Sequence, residues 1–343
     1  QKENKIINIT VEEKPTGEIM AGAGYGTDGT TFSVGIRENN FKGEGINLNT
    51  KLSLTEQTVK GFFEYTHPNF AYSDRALSTS LESSVTDKLT DFGYKSSLNK
   101  VSLGTRYEQF ENTFFSPRLS ISSESLDTTS TASAAYKKQE GSYFDTTFDY
   151  GLTLDKRNSA YQPSSGFYSS WFQQLPIISE NQTIVNGYTI TGYKEIADDM
   201  IISSGIYSRA INSLTNDDVR VSKRIFAPSS RLRGFESGRV GPVDGADHIG
   251  GNYVVTFNTS STVPYILQTQ ENMDLKVFFD AGNIWGVDYS NALDDSNTIR
   301  TSTGVALEWI TPVGPLSFSY SEVLSKASTD KTESFKFQLG TTF

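Results

Sequence analysis

Apolar and polar residues alternate with a period of two along most of the chain after residue 17. The segment 46–54 shows this clearly, with Ile46, Leu48, Leu52 and Leu54 on one face and polar side chains on the other. Similar segments run through residues 77–85, 101–107, 115–121, 144–155, 184–190, 275–279, 305–309, 316–320 and 335–339. Side chains of a β-strand point alternately to its two faces, so the pattern predicts strands rather than helices. We count about sixteen strands, which places the chain in the all-β class.

The length of the segments and the positions of their aromatic residues favour a membrane barrel. The segments exceed the length of about 5–6 residues that is usual for strands of soluble proteins. Aromatic residues cluster near segment ends, at 65–72, 107–115 and 171–172. Every backbone donor and acceptor in a bilayer needs a partner, so a sheet there must close on itself. We therefore predict a transmembrane antiparallel β-barrel with short turns at one end and long loops at the other. The competing interpretation is a soluble all-β protein with one solvated face.

Composition argues against several kinds of chemistry. The 343 residues include no Cys, and the two His are His67 and His248, so disulfides, thiolate sites and histidine-based catalysis are not expected. The formal net charge of -10 disfavours nucleic acid as a partner, because binding it requires a basic patch. The chain has no apolar run of about 20 residues, so no transmembrane helix is predicted. We expect a protein that is not an enzyme and that needs no cofactor.

Three pairs of neighbouring aspartates are the remaining candidates for a metal site. The pairs, which lie in predicted loops or at strand ends, are Asp198-Asp199, Asp217-Asp218 and Asp294-Asp295. Carboxylate oxygens of this kind bind Ca²⁺ in many proteins, but none of the pairs has the spacing of a calcium-binding loop. We interpret them as solvated loop charges and predict no metal site.

A long polar stretch, residues 212–249, separates two predicted strands. Loops of this length are uncommon in compact domains and are usually functional or disordered. Within it, Leu232, Arg233, Gly234 and Phe235 place a guanidinium, a conformationally permissive glycine and an aromatic ring side by side. This combination suits a loop tip that is inserted into a cavity rather than a free one.

Alternation along a later strand suggests a partner for this arginine. In the segment 275–280 the apolar face takes the odd positions, so Asp280 falls on the face that lines the lumen. An interior carboxylate is a suitable bidentate partner for a guanidinium carried in on a loop, and Arg233 is the candidate. The alternative is that Asp280 faces lumen water while Arg233 faces the exterior, and composition alone favours this alternative.

Several motifs together resemble the BamA family of outer-membrane protein assembly factors. Leu232 to Phe235 is similar to the [VI]-R-G-[FY] signature in loop six of that family. Further similar segments are Gly241-Pro242, Gly250-Gly251-Asn252, Phe278 to Trp285 (F-x-D-x-G-x-[VI]-W), Gly314 to Tyr320 (G-P-L-x-F-S-Y) and the closing strand up to Phe343. Residues 11–17 are similar to the join between the last POTRA domain and the barrel. The resemblance thus implies that residues 1–17 end a POTRA domain and its linker, and that residues 18–343 form the barrel.

The resemblance also implies that the long extracellular loop six folds into the lumen, where Asp280 binds Arg233. One departure affects this pair. The family often has a glutamate on the preceding strand as a second partner, and Ser260 takes that place here. Arg233 is therefore expected to hold a single carboxylate or to find another acid, such as Glu236.

The implied activity is the folding and insertion of barrel proteins into the outer membrane through a lateral gate between the first and last strands. The predicted gate residues are Ala21, Gly22, Ala23, Gly24, Tyr25, Phe335, Phe337, Leu339, Gly340 and Phe343. Small residues on the first strand offer little cross-strand packing, and a glycine near the end of the last strand lets that strand bend. The alternative is that these glycines only let a barrel turn a corner.

The partners implied by the resemblance are unfolded outer-membrane proteins, accessory outer-membrane lipoproteins of an assembly complex and periplasmic chaperones. The lipid bilayer and lipopolysaccharide would surround the barrel in a bacterial outer membrane. Two other functions stay open at this point: a two-partner-type protein secretion pore of the same superfamily and a passive porin. A porin would leave the motifs at 232–235 and 279–285 unexplained.

Overall fold

Sixteen antiparallel strands form one closed barrel in the computed structural model, which confirms the predicted fold class. The structure describes residue 12 and residues 14–266, 272–288, 293–294, 297–311 and 314–340. Most of the predicted POTRA remnant, residues 1–17, lies outside the described residues, so the division of the chain into two parts stays a prediction. No helix in the described part of the chain is long and apolar enough to cross a membrane.

The strands follow one another around the barrel in chain order, and the first strand pairs with the last to close it. Their bounds are β1 Gly17–Gly26, β2 Gly29–Phe41, β3 Ile46–Thr55, β4 Thr58–His67, β5 Ala76–Lys88, β6 Tyr94–Phe110, β7 Thr113–Thr128, β8 Gly141–Asp155, β9 Ser165–Ser179, β10 Thr183–Ala197, β11 Met200–Ser213, β12 Tyr253–Thr262, β13 Met273–Trp285, β14 Arg300–Thr311, β15 Gly314–Ser325 and β16 Phe335–Gly340.

The described links contain only short elements. The helices α1 and α2 span Leu89–Phe92 and Ala134–Lys137, and single 3-10 turns lie at Phe70–Tyr72, Val221–Lys223 and Pro264–Ile266. Three two-residue strands, Val243–Asp244, Asp247–His248 and Leu293–Asp294, form a small separate sheet.

Because successive strands run in opposite directions, the links alternate between the two rims of the barrel. The rim that holds the longest links, called the loop rim below, carries residues 89–93, 129–140, 214–252 and 326–334, together with the described residues of the link between β13 and β14. Short links at 27–28, 56–57 and 180–182 also lie at the loop rim, and the opposite rim carries longer links at 68–75 and 156–164. Loop length therefore follows the rim only in part.

Exposure alternates along the strands as a membrane barrel requires. On β2 the apolar side chains of Phe32, Val34 and Ile36 are about half exposed, whereas Ser33 between them is buried. Outward-facing apolar side chains recur on every barrel strand up to the seam. A belt of this kind is stable in contact with lipid and unstable in water. The transmembrane prediction is therefore confirmed over the competing soluble interpretation.

Polar side chains satisfy one another on the inward face. The Ser102 and Ser120 hydroxyls lie 3.0 Å apart, and the Ser120 hydroxyl donates to Asp149 Oδ2 at 3.1 Å. The mean hydropathy of -0.40 follows from this arrangement, because inward and loop residues offset the apolar belt.

The belt generates a testable prediction. Leu103 on β6 is half exposed on the outward face, so Leu103→Arg places a charge against lipid and should lower the free energy of unfolding by about 2–4 kcal/mol if the position lies near the bilayer midplane. Urea-induced unfolding in phospholipid vesicles measures the loss. Asn49→Arg is the control, because Asn49 pairs with Glu64 on the inward face. The free energy of unfolding of this variant should lie within about 1 kcal/mol of the wild-type value. Equal losses in both variants would contradict the assignment of the two faces.

Candidate functional site

The loop between β11 and β12, residues 214–252, reaches opposite walls of the barrel. Arg220 in this loop binds carboxylates on β7 and β8, whereas Arg233 binds a carboxylate on β13. All three carboxylates lie on inward-facing positions that are almost fully buried. The segment between Arg220 and Arg233 therefore crosses the interior of the barrel.

Arg233 makes a bidentate ion pair with Asp280. Its Nε donates to Asp280 Oδ2 and its Nη2 donates to Asp280 Oδ1, both at 2.7 Å, and its backbone N–H donates to Oδ2 at 3.1 Å. The guanidinium carbon lies 3.5 Å from the centre of the Phe278 ring. Asp280 is fully buried, and burying a carboxylate is costly unless it is paired and hydrogen-bonded as it is here.

The neighbours of Arg233 in the chain explain why the loop takes this path. Gly234 has a φ of +90°, and a Cβ there would approach Ser321 Cβ to 3.1 Å, so no other residue fits easily. Leu232 and Phe235 are each 2% exposed and pack in one apolar cluster inside the barrel. The Arg233 carbonyl accepts a hydrogen bond from Ser302 Oγ at 2.5 Å. The four motif residues therefore make an apolar plug with one charged contact.

Ser260 does not contact Arg233 in the structure. Its hydroxyl lies 2.8 Å from the Ser203 hydroxyl on the adjacent strand. The polar group that β12 brings to the site is instead Asn258, whose Nδ2 donates to Asp280 Oδ1 at 2.8 Å and to the Arg231 carbonyl at 2.7 Å. An amide at this position supports Asp280 from the side and adds no second negative charge.

A second arginine, Arg220, binds the far wall. Its Nη1 donates to Glu124 Oε2 at 3.0 Å, its Nη2 binds Asp145 Oδ2, and its guanidinium lies over the Tyr143 ring at 4.2 Å. Lys223 Nζ also reaches Asp145 Oδ2 at 2.9 Å. The Arg220 side chain is 1% exposed, so this cluster is as deeply buried as the Arg233 contact.

A third arginine, Arg239, attaches the loop to the link that contains α1. Its Nη1 donates to the Asp91 carbonyl at 2.5 Å, its Nη2 donates to Asp91 Oδ1 at 3.0 Å, and its guanidinium lies over the Phe92 ring. Three arginines thus hold residues 220–239 at three separated points. A loop held this way is positioned as one body relative to the barrel wall.

The seam between β1 and β16 is the other candidate region, and its pairing is short. Gly24, Tyr25 and Gly26 pair with Gly340, Leu339 and Gln338, respectively. The β1–β2 pair, in comparison, has ten residue pairs along the whole length of β1. Among the described residues no part of β16 pairs with residues 17–23 of β1. In the described structure these seven residues therefore pair with β2 alone.

The structure distributes the predicted gate residues unevenly. Gly24, Tyr25, Leu339 and Gly340 meet across the seam, and the Tyr25 ring contacts the Phe337 ring edge-on at 5.7 Å. Ala21, Gly22 and Ala23, which precede Gly24 on β1, pair with β2. Phe335 pairs with Tyr320 on β15. Phe343 lies outside the described residues.

A glycine is required on each strand at the seam. Gly340 has a φ of +132°, and a Cβ there would collide with the Ala23 carbonyl oxygen. A Cβ on Gly26 would lie 2.5 Å from the Phe337 carbonyl oxygen. The two backbones approach more closely than side chains would allow, so small residues hold the seam together and also limit its packing area.

The aspartate pairs do not assemble into a metal centre in the part of the chain that the structure describes, where no group of three or more His, Asp or Glu side chains is placed to hold an ion. Asp199 lies in the β10–β11 turn with a φ of 57°. The Asp217 side chain accepts a hydrogen bond from the Thr215 hydroxyl. Asp295 lies outside the described residues.

Comparison with known proteins places the chain in a family. A family model for the Omp85 superfamily domain matches residues 40–343. The chain belongs to the Omp85 superfamily. The resemblance to the BamA family, inferred above from the motifs, is confirmed over nearly the whole chain.

Three relatives illustrate the similarity. The chain is 23% identical over 348 residues to outer membrane protein assembly factor BamA of Neorickettsia risticii, covering 99% of this chain and 47% of that protein. It is 22% identical over 408 residues to BamA of Neisseria meningitidis serogroup B, covering 98% and 48%. The crystal structure of BamA from Haemophilus ducreyi lacking POTRA domains 1-3 has a TM-score of 0.88 at 23% identity, covering 97% of this chain and 71% of that one.

The chain therefore spans about half the length of the curated Omp85 relatives that it matches. These relatives, together with the closed barrel and its apolar belt, confirm the predicted location in a bacterial outer membrane.

Sequence reasoning finds Arg233 and Asp280 but misses Arg220 and its partners. The signal was present in part, because the alternation in 144–155 places Asp145 on the polar face. The parity of a strand shows that a carboxylate faces inward, but it does not show which loop residue reaches it. The Arg220 partners lie 75 and 96 positions away along the chain.

The Arg233 contact generates a prediction that is separate from any activity. Arg233→Ala leaves the buried Asp280 carboxylate without its cation, so the free energy of unfolding should fall by about 3–5 kcal/mol. Urea-induced unfolding of the barrel measures this change. The matched control is Arg231→Ala, since the Arg231 guanidinium lies 5.8 Å from the Tyr207 ring and its loss should cost about 1 kcal/mol or less. A similar decrease in the free energy of unfolding of both variants would contradict the role assigned to Arg233.

His248 makes the attachment of the loop sensitive to pH. The side chain is buried, and its Nε2 donates to the Thr329 carbonyl at 3.1 Å. Burial lowers the pKa of His248 below its ordinary value of 6.5, with smaller contributions in the same direction from Arg239 and Lys331. A group whose pKa is lowered by folding binds a proton less readily in the folded loop than in the unfolded one, where protonation begins as pH falls towards 6.5. The closed loop is therefore destabilised as pH falls from 6.5 towards the lowered value.

Hydrogen exchange of the loop amides tests this dependence. Exchange of the Ile249 amide, which donates to the Pro242 carbonyl at 3.0 Å, should be faster at pH 5.5 than at pH 7.5 after correction for intrinsic rates. His248→Gln keeps a donor for Thr329 but does not titrate, so the corrected rates in this variant should change less between the two pH values. An unchanged pH dependence in His248→Gln would refute the assignment.

Proposed function

We propose that this barrel is the membrane domain of an outer-membrane protein assembly factor, and that the β1–β16 seam is the site where it acts. The observation that carries the proposal is the short pairing at the seam, where the described residues form three residue pairs against ten between β1 and β2. The names of the BamA relatives support the assembly of outer-membrane proteins as the activity.

A weak seam is suited to this activity for a physical reason. A strand edge with free N–H and C=O groups is a template for another strand, and a closed barrel normally has no such edge. Opening the seam recreates one, so an incoming strand of a client protein can add to β1 by β-augmentation. Few bonds must break first, because Gly17 to Ala23 already lack partners on β16 among the described residues.

Among the described residues, the other strand pairs are longer than the seam. The shortest of them, β15–β16, has five residue pairs, whereas β10–β11 and β6–β7 each extend over fourteen. Separating either of them would break many more backbone bonds in a medium that offers no water to replace them. The energetic difference makes β1 and β16 the edges that open, with β2 and β15 as their supports.

Loop 214–252 has a supporting role in the proposal. It packs apolar side chains inside the barrel and is attached through Arg220, Arg233 and Arg239. Such a filling opposes the collapse of the barrel when the seam opens. It also weighs against a passive porin, whose lumen carries a wide aqueous path.

The expected partners follow from the same proposal. Unfolded outer-membrane proteins would be the clients, in line with the names of the relatives. Accessory outer-membrane lipoproteins, periplasmic chaperones and lipopolysaccharide are carried over from the BamA resemblance as predicted partners. No chemical bond is made or broken in this activity, so it needs neither a nucleophile nor a cofactor.

A disulfide across the seam tests the proposal in this Cys-free chain. Tyr25→Cys with Leu339→Cys places two thiols on directly paired residues. When oxidised in proteoliposomes, this variant should fold a reporter barrel protein at least about tenfold more slowly than the wild type, because the three pairs can no longer separate. Reduction should restore the rate.

The matched control is a disulfide away from the seam. Phe63→Cys with Leu81→Cys links β4 to β5 at a directly paired, outward-facing position, and its oxidation should leave the rate unchanged. If the seam-locked barrel still folds the reporter, the lateral gate is wrong. Passage of one exoprotein through the locked barrel would then indicate a secretion pore. Steady ion conductance in planar bilayers would indicate a porin.

A further inference from the structure

The link that leads into the last strand, residues 326–334, is attached to the interior more firmly than the strand itself is attached to β1. Asp330 in this link has a fully buried side chain and accepts from Arg300 Nε at 2.9 Å and from Arg300 Nη2 at 3.0 Å. Arg300 is the first residue of β14 and is also fully buried. The pair joins the wall two strands away from β16 to the residues directly before it.

Both members of this pair make further hydrogen bonds. The Ala327 N–H donates to Asp330 Oδ2 at 2.6 Å, and the Gly241 N–H of loop 214–252 approaches Oδ1 at 3.4 Å. Arg300 Nη1 donates to the Asn283 side-chain oxygen on β13 and to the Thr298 carbonyl. One carboxylate therefore organises β14, the link to β16 and the interior loop.

The same link forms a short ladder with the segment that follows Arg233. The Glu333 N–H donates to the Gly234 carbonyl at 2.9 Å, and the Glu236 N–H donates to the Lys331 carbonyl at 3.1 Å. Phe235 and Thr332 face each other in this ladder as an isolated antiparallel bridge. The arginine motif and the residue after it are thus bonded to residues that lie two to four positions before Phe335, where β16 begins.

We infer that the Arg300–Asp330 pair and the ladder beside it set the register of the seam by fixing where β16 starts. The six described residues of β16 have three partners on β1, and so few pairs carry little information about register by themselves. With its first residue held from the loop rim, Gln338 to Gly340 can reach only Gly24 to Gly26. Opening of the seam then proceeds from the Gly340 end, while the Phe335 end stays attached.

Arg300 and Asp330 act as positioning residues in this inference, since neither touches β1 in the described structure. The inference rests on the proposed function only in treating the seam as the working site. Its test therefore reads the register directly and does not depend on assembly activity.

Disulfide formation in the folded barrel reads the register. Tyr25→Cys with Leu339→Cys reports the native pairing, whereas Tyr25→Cys with Phe337→Cys reports a slip by two residues, which keeps both side chains on the outward face. Asp330→Asn leaves the buried guanidinium without its anion, so the ratio of native to slipped crosslinking should fall at least about tenfold. Arg300→Lys keeps the charge and loses the bidentate geometry, so an intermediate ratio is expected.

Glu82→Gln is the matched control. It removes a partly exposed ion pair between Lys60 and Glu82 on β4 and β5, away from the seam, and it should leave the ratio nearly unchanged. Each variant is first checked for a closed barrel by its heat-modifiable migration in gels, and if Asp330→Asn does not fold, Arg300→Lys carries the measurement. A role limited to overall stability would lower the melting temperature and leave the crosslinking ratio unaltered.

An unchanged ratio in folded Asp330→Asn overturns the inference, whatever the assembly activity. A slipped register with normal folding of a reporter protein supports the inference and counts against the proposed function instead. A slipped register with slow reporter folding supports both.

Discussion

The constraint on which this structure depends is the absence of water around the barrel wall. Backbone N–H and C=O groups in a bilayer must bond to one another, so the sheet has to close. In the part of the chain that the structure describes, most strand pairs extend over eight or more residue pairs, whereas β15–β16 has five and β1–β16 has three. The last strand is therefore the least extensively paired part of the wall that the structure describes.

The buried charges follow from the same constraint. A barrel of sixteen strands encloses more space than its own inward side chains fill, and here residues of loop 214–252 occupy part of it. Buried charge is costly unless it is paired and hydrogen-bonded. Arg220, Arg233 and Arg300 all meet carboxylates in geometries that satisfy several donors. These pairs are weak grounds for assuming extra stability, but they define the path of the loops, because an unpaired alternative is expensive.

Much of the fold was accessible from the sequence because strand parity is a local property. Two-residue alternation predicts the strands, and it also places Asp280 on the inward face without knowledge of the fold. The motif at Leu232 to Phe235 identifies the arginine. Composition alone favours an Asp280 that faces lumen water without Arg233, and this prediction is wrong. A count of polar residues cannot show that a loop returns into the lumen.

The remaining contacts were not accessible because they join segments whose approach is decided by the three-dimensional path. Asp330 and Arg300 are separated by a hairpin, and nothing in their neighbours marks them as a pair. Asn258 replaces the expected acid through its register with Asp280, which is fixed by the β12–β13 pairing. In our inference the starting point of β16 sets the seam register, and the glycines at 26 and 340 permit the close approach of the two backbones in that register.

A difference in strength between the two ends of β16 results from these contacts. At its start the chain is bonded to a buried ion pair and to the arginine loop, and at its end it meets β1 through glycines whose backbones touch. Glycine contributes almost no side-chain packing, so the free energy that holds the seam comes largely from a few backbone bonds. Backbone bonds are exchangeable in kind, because a strand of any sequence supplies the same donors and acceptors. A junction held in this way can be replaced by an incoming strand without loss of bonding, while the anchored end keeps the last strand in place for reclosure.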